Sequence, residues 1–287
     1  PCLCRLNVSS FASPASTLMA KAIDAAIAAG QNPGPLAGVP FAVKNLFDVQ
    51  GLSTRAGSRI NRDLKPSSRD ATLIERMEAA GAARFGAIFE RLAAALDLGY
   101  AYAPERIEGD GTHGPAILSR WPLERVQVME LPYADLAFSQ VPRRALAADV
   151  RVGATALRVV DLHLDTRLNA GDRILQLRPA VLDAPAPAVV GGDLNTNPYV
   201  WTGGAVPDLP GSTVVDTDQA PVIDGYMRQV GYATPTAALG PTEQFAGLVA
   251  ARLDSLYVRG AAATPGGVER AIALSDHWPV WIDVALP

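Results

Sequence analysis

The chain divides its apolar residues into runs of strand length, and each run ends at a Pro- or Gly-rich loop. The runs are GPAILS (114–119), ALRVVDLH (156–163), AVVG (188–191), LDSLYV (253–258) and VWIDV (280–284). β-Branched and large apolar side chains bounded by Gly, Pro, Asn and Asp favour strands over helices. An amphipathic helix candidate, Phe85 to Leu98, precedes them, and further helix-forming stretches are interposed. Short strands with interposed helices predict an α/β sandwich. No run approaches the ~20 apolar residues of a membrane-spanning helix. The chain has 287 residues, 49% of them hydrophobic and 19% charged. That is enough for one large core or two smaller ones.

One run ends in an unusual way. VVGGDLNTNP (189–198) passes from apolar residues through two glycines to an acid and an amide. Residues i and i+2 of a strand share a face, so Asp193 and Asn195 are expected to project together from the strand end. Gly192 is expected to let a ligand approach the backbone. The same residue types are also common turn formers. The histidines, His113, His163 and His277, each stand at the edge of an apolar run within a polar cluster.

Charge divides the chain. Residues 1–83 hold 9 basic and 6 acidic residues, a net of +3, and all the lysines; residues 84–287 hold 16 arginines and 23 acids, a net of −7. An acidic second segment disfavours a broad nucleic-acid footprint and suits a site that gathers cations. Cys2 and Cys4 exclude a disulfide framework. No signal peptide is visible, so a cytoplasmic protein is expected, and Asn7-Val8-Ser9 is only a nominal glycosylation sequon. A helix is expected from Leu18 to Ala29, a strand from Val39 to Val49, and a second helix capped by Ser68 or Asp70.

The run GPLAGVPFAVKNLFDVQGLSTRAGSRI, followed by RDATLIERMEAAGA, resembles the amidase signature family. The resemblance makes Lys44 the counterpart of that family's catalytic base. The family's Gly/Ser-rich segment, with its serines and oxyanion donors, is absent, and Ser67-Ser68 lacks the glycine context. An acyl-transfer lysine needs its nucleophile, so no amidase activity is expected.

In the second segment HGPAILSRWPL, HLDTR, GGDLNTNP, RLDSLYVRG and SDHWPVW follow in order. Together they resemble the endonuclease/exonuclease/phosphatase superfamily. The resemblance implies an α/β four-layer sandwich, two mixed β-sheets flanked by helices, behind an amidase-like fragment. It implies a phosphoester hydrolase dependent on Mg²⁺ or Mn²⁺. Asp193 is then the residue that orients or deprotonates the attacking water, and Asn195 a phosphoryl ligand. His277 contacts the scissile phosphate, Asp254 holds His277, and His163 and His113 contact phosphate or leaving group. Asp276, Asp193 and Asn195 form the metal side.

The resemblance also implies an Asn on the first strand and a Gln-Glu step that ligates metal. No Gln-Glu step is present, and Pro115 stands where many relatives carry Asn. The expected organisation is therefore an incomplete amidase-like fragment at 1–83 and a nuclease/phosphatase-like domain at 84–287 lacking its first strands. The expected function is a phosphodiester hydrolase impaired by that loss. The alternatives are a non-catalytic phosphoester-binding relative and an amidase-type acyl hydrolase. The expected partner is a phosphoester substrate, whether nucleic acid, phospholipid or small phosphodiester, with the chain a monomer.

Overall fold

The computed structural model describes residues 3–8, 27–32, 34–36, 40–41, 48, 50, 65, 67–80, 83–84, 93, 96–108, 111–134, 136, 142–201, 219–245, 249–272 and 275–287. The chain forms two compact units. One comprises residues 1–12, 99–105 and 114–287, the other residues 13–98 and 106–113.

The larger unit carries β1 (Leu3–Val8), β2 (Gly99–Tyr102), β3 (Ala116–Ser119), β4 (Leu123–Glu130) and β5 (Arg144–Val152). They are followed by β6 (Thr155–His163), β7 (Ala188–Asp193), β8 (Asp254–Arg259) and β9 (Val280–Ala285). Among the helices, α1 (Thr72–Ala79) belongs to the smaller unit, α2 (Ala170–Leu182) and α3 (Gln219–Gln229) to the larger.

One sheet has the order β8–β7–β6–β5–β4. Only β6 and β7 run parallel, the other neighbours being antiparallel. A parallel pair needs a crossover, and α2 supplies it. Period-two alternation lets each central strand serve two cores. Val160, Leu162, Val190 and Tyr257 pack with Leu177 and Val181 of α2 and Ile223 and Met227 of α3. Leu157, Val189, Leu256 and Val258 take the opposite face and pack with Val280, Ile282 and Val284 of β9. Each fully buried side chain of this kind contributes roughly 1.5–3 kcal/mol. Two sheets thus meet face to face and helices cover the outer face of the first, which is the α/β sandwich that the motifs imply. No described helix is long and apolar enough to cross a membrane.

Two features of this unit differ from the sequence reading. First, β1 pairs antiparallel along β9, from Leu3 against Ala285 to Val8 against Val280. Ala262–Ala263 and Gly267–Val268 pair with β9 as well. The sheet expected to lack its first strand therefore has a strand from the start of the chain. A six-residue run gives no local sign that its partner lies at the opposite end. Second, β5 reads RALAADVRV, and its alanines favour helix. It is a strand because β4 and β6 pair with both of its edges. Its small side chains let Ala145 and Ala147 fill one core and Leu146 and Ala148 another.

In the smaller unit α1 buries Ile74. Its cap position is Ala71, which makes no side-chain cap bond. Asp70 instead accepts the Gln50 amide at 2.8 Å, and the Ser67 hydroxyl donates to Arg69 O at 2.7 Å. Asp70, one of the two expected caps, therefore serves the Gln50 backbone instead. Pro40–Phe41 pairs parallel with Ala83–Arg84, and Arg106–Glu108 pairs antiparallel with Gly111–His113. Lys44 lies outside the described residues, as do most of the helices expected at Leu18–Ala29 and Phe85–Leu98.

Candidate active site

Strand register builds the site. In the first sheet His163 pairs with Asp193, and Asp193 with Asp254. His163 ends β6, Asp193 ends β7 and Asp254 begins β8, so all of them reach the same sheet edge. The glycines ahead of Asp193 make this close pairing possible. Gly192 sits at φ 144°, and a Cβ there would collide with the Leu162 carbonyl. A Cβ on Gly191 would lie 2.5 Å from Ser255 O. Gly192 therefore makes room for a neighbouring strand, not for the ligand expected from the sequence.

Beyond Asp193 the chain turns sharply. Asn195 adopts φ 51°, and its amide N–H donates to Asp193 Oδ1 at 2.8 Å. The turn and the functional arrangement expected of this stretch are one structure. Asn195 Nδ2 donates to Leu164 O at 2.8 Å and Asp193 Oδ2 at 3.3 Å. Both Nδ2 protons are thus engaged, and the side chain offers its carbonyl Oδ1 to a ligand. An oxygen of this kind suits a cation better than a phosphoryl oxygen.

Arg173 holds the turn from beneath. It is fully buried and donates to Leu194 O at 3.0 Å, Thr166 O at 2.8 Å, Gln219 Oε1 at 2.5 Å and Leu168 O. Burial lowers its pKa to about 9, against the opposing pull of Asp193.

The second half of the site arrives from the segment before β9. His277 Nδ1 lies 2.8 Å from Asp254 Oδ2, and Thr242 Oγ1 donates to the same oxygen at 2.8 Å. Thr242 Oγ1 also accepts the amides of Leu253 and Asp254, each at 3.0 Å. The neighbouring backbone fixes the histidine loop through Gln244 N to Asp276 O at 2.8 Å and Trp278 N to Thr242 O at 2.7 Å. Burial opposes a charge on His277, but the hydrogen bond and negative charge of Asp254 outweigh it and raise the imidazole to about 9. Burial pushes the Asp193 carboxyl up, while His163 and His277 pull it back. Burial likewise raises Glu243, which bridges to His277.

The structure thus brings together Asp193, Asn195, Asp254, His277 and His163, whose Nε2 is 3.4 Å from Asp193 Oδ2. Asp276 is exposed and accepts the Ser275 hydroxyl at 3.0 Å. Its carboxylate is not in the group formed by Asp193, Asp254 and His277. His113 belongs to the smaller unit, where it is exposed and pairs with Arg106. Sequence reasoning missed Thr242, Arg173 and Glu243. A lone threonine or arginine in a loop or helix carries no motif, and only burial marks them.

The donor set fits a divalent cation. Carboxylate oxygens of Asp193 and Asp254 lie within 4.8 Å of each other and of a His277 ring nitrogen, the imidazole being protonated at neutral pH. Asp254 Oδ1 is buried without a hydrogen-bond partner among the described residues. An unpaired buried carboxylate oxygen is costly, and a cation would relieve that cost.

Sequence comparison agrees with this fold. The chain belongs to the Endonuclease/Exonuclease/phosphatase family, whose profile matches residues 54–277. The Amidase profile matches residues 4–88, so the two overlap from 54 to 88. The front of the chain is similar to amidase-signature proteins. One is the AtzE subunit of 1-carboxybiuret hydrolase from Pseudomonas sp. (strain ADP), 54% identical over 69 residues, 24% of this chain and 15% of that protein. Another is a glutamyl-tRNA(Gln) amidotransferase subunit from Salinispora arenicola, 41% identical over 105 residues, 36% of this chain and 20% of that protein. The chain therefore spans a fifth or less of the length of these curated relatives. Among solved structures, the endonuclease/exonuclease/phosphatase from Bacteroides vulgatus superposes with a TM-score of 0.51 at 15% identity, covering 71% of this chain and 82% of that one. It shares the fold.

Proposed function

We propose that the larger unit hydrolyses phosphodiesters at the edge formed by Asp193, Asn195, Asp254 and His277, with Mg²⁺ or Mn²⁺ as cofactor. The observation that carries this reading is the 2.8 Å Asp254–His277 pair, which keeps the imidazole cationic at neutral pH. A fixed cation placed where phosphoryl charge develops stabilises the transition state. Water adds to phosphorus and the bond from phosphorus to the leaving oxygen breaks. Asp193 orients the water and takes its proton. His277 holds charge on the non-bridging oxygens, and the leaving oxygen takes a proton from solvent. Asp193, Asn195 and Asp254 would hold the cation. When bound, it neutralises charge developing on the phosphoryl oxygens. Asn7 supports the same reading. It lies near the end of β1 and pairs with Trp281, just after the His277 loop, where the resemblance calls for a first-strand Asn.

By ancestry we place the join near residues 83 and 84, with the amidase-like fragment in front. The Ser67 hydroxyl is engaged with Arg69 O and lends no support to acyl transfer. The missing Gln-Glu step favours a second reading, a phosphoester binder without turnover.

The test is hydrolysis of bis-(p-nitrophenyl) phosphate with Mg²⁺ and with Mn²⁺. His277→Ala and Asp193→Ala are each expected to lower kcat about 10²–10³-fold. Binding of the ester without turnover would select the second reading. Neither binding nor turnover would sink both.

A further inference from the structure

Three segments leave the first sheet at the end that carries His163 and Asp193. Met129 of β4 pairs with Ala145 of β5, and Ala145 with Leu162 of β6. The connection from β4 to β5 therefore lies at that end, as do the residues after β6 and after β7. Tyr133 from the first segment, Arg167 from the second and Trp201 from the third line one cleft of about 350 Å³, together with Asp172 and Leu175 of α2. None of these residues belongs to the catalytic group.

Hydrogen bonds tie the walls together. Gln176 of α2 is buried and donates to Pro132 O at 3.1 Å and Asp165 Oδ2 at 2.8 Å, which fastens the β4–β5 connection to the helix. Asn169 Nδ2 donates to Trp201 O at 2.7 Å, and Asn169 Oδ1 accepts the Trp201 amide at 2.9 Å. The indole Nε1 donates to Asn197 Oδ1 at 3.0 Å, and Asn197 Nδ2 donates to Asn195 O at 3.0 Å. One carboxamide thus joins the Trp201 ring to the turn that carries Asn195. The two ends of that link are less than about 9 Å apart, within the span of one nucleoside.

The Arg167 guanidinium lies 5.7 Å from the centroid of the Trp201 ring. Aromatic rings and guanidinium planes are the surfaces on which bases stack. Asp172 adds an acceptor to the same cleft. The edge of a base offers both acceptors and N–H donors, so it can answer both charges. An alkyl chain would desolvate both and replace neither set of hydrogen bonds. The volume is near the low end of the roughly 300–1,000 Å³ of small-molecule pockets, which is room for one such group.

We infer that this cleft binds the nucleobase of a phosphoester whose alcohol part is a nucleoside. The inference rests on the catalytic reading for the place of the scissile phosphate. One base and one phosphate suffice, in keeping with the net charge of −7 over residues 84–287, which disfavours a long nucleic-acid footprint.

The test is binding without turnover, by calorimetry on the full chain with Mg²⁺. 5′-AMP is expected to bind roughly 5–100-fold more tightly than ribose 5-phosphate, the worth of one stacked base. Trp201→Ala should remove that difference and leave ribose 5-phosphate binding unchanged. Circular dichroism and a thermal melt establish that the variant is folded. If it is not, Tyr133→Ala, altered at a side chain that is 53% exposed, should narrow the same difference. Equal affinity of the parent chain for the two probes, no binding of 5′-AMP at millimolar concentration, or a preference for 5′-AMP that survives in the folded variants would overturn the assignment. Tighter binding of dodecylphosphocholine than of 5′-AMP, lost in Trp201→Ala, would give the cleft to a lipid and overturn it too. A Trp201-dependent preference for 5′-AMP without hydrolysis of bis-(p-nitrophenyl) phosphate would keep the cleft and remove the catalytic reading. Hydrolysis with no preference for 5′-AMP would do the reverse.

Discussion

At the scale of residues the site depends on a few close contacts, and the Asp254–His277 pair is the one with the clearest consequence. The folded imidazole titrates at about 9, above the ordinary 6.5. Its charge is therefore present at neutral pH and lost as pH rises through about 9. If that charge serves catalysis, kcat/KM should fall on the alkaline side with that midpoint. Asp254→Asn removes the main partner and leaves burial, which lowers the pKa. The alkaline limb should then move down toward the ordinary histidine value, while His277→Ala should abolish the limb. A limb that stays in place in Asp254→Asn would show that another group titrates. Asp193, Asn195, Asp254 and His277 were legible in the sequence because each sits in a short motif whose chemistry is local. The role of Gly192 was not, because the atom that its side chain would strike belongs to β6.

At the scale of elements, the strand ends are aligned by register and the histidine loop is fastened by the Thr242 segment. Thr242 Oγ1 accepts two buried amides and donates to Asp254. Thr242→Val keeps the shape but strands those N–H groups, and an unsatisfied buried donor costs ~1–3 kcal/mol. The expected result is a lower urea midpoint with an unchanged m-value. Full stability in this variant would mean that the loop is held by its backbone bonds alone. Strands β6, β7, β8 and β9 were readable because their β-branched runs end at turn residues. Strand β5 was not, since alanine and arginine mark no strand until β4 and β6 occupy its edges. The cap of α1 was misread for a related reason. Asp70 suits a cap by type, but the backbone of Gln50 claims it.

At the scale of the whole molecule, the larger unit joins both ends of the chain. Deleting residues 1–8 would remove β1 and leave one edge of β9 without its partner. An open edge with free backbone groups invites edge-to-edge association. The truncated chain should melt lower and show larger species by light scattering, and a monodisperse product with unchanged melting would show that β1 is dispensable. The sequence by itself determined the class of fold, since strand-length apolar runs and ordered motifs depend only on near neighbours along the chain. It also singled out Asp193, Asn195, Asp254 and His277, because each stands in a short motif of its own. Only the tertiary structure decided that residues 3–8 complete the sheet of β9, and that Asp276 stays at the surface. It alone decided that Tyr133 and Trp201 line one cleft. Those outcomes follow from pairing and burial between segments far apart in sequence, and no local pattern encodes which distant backbone will fill an open edge or which loops will meet in one cleft.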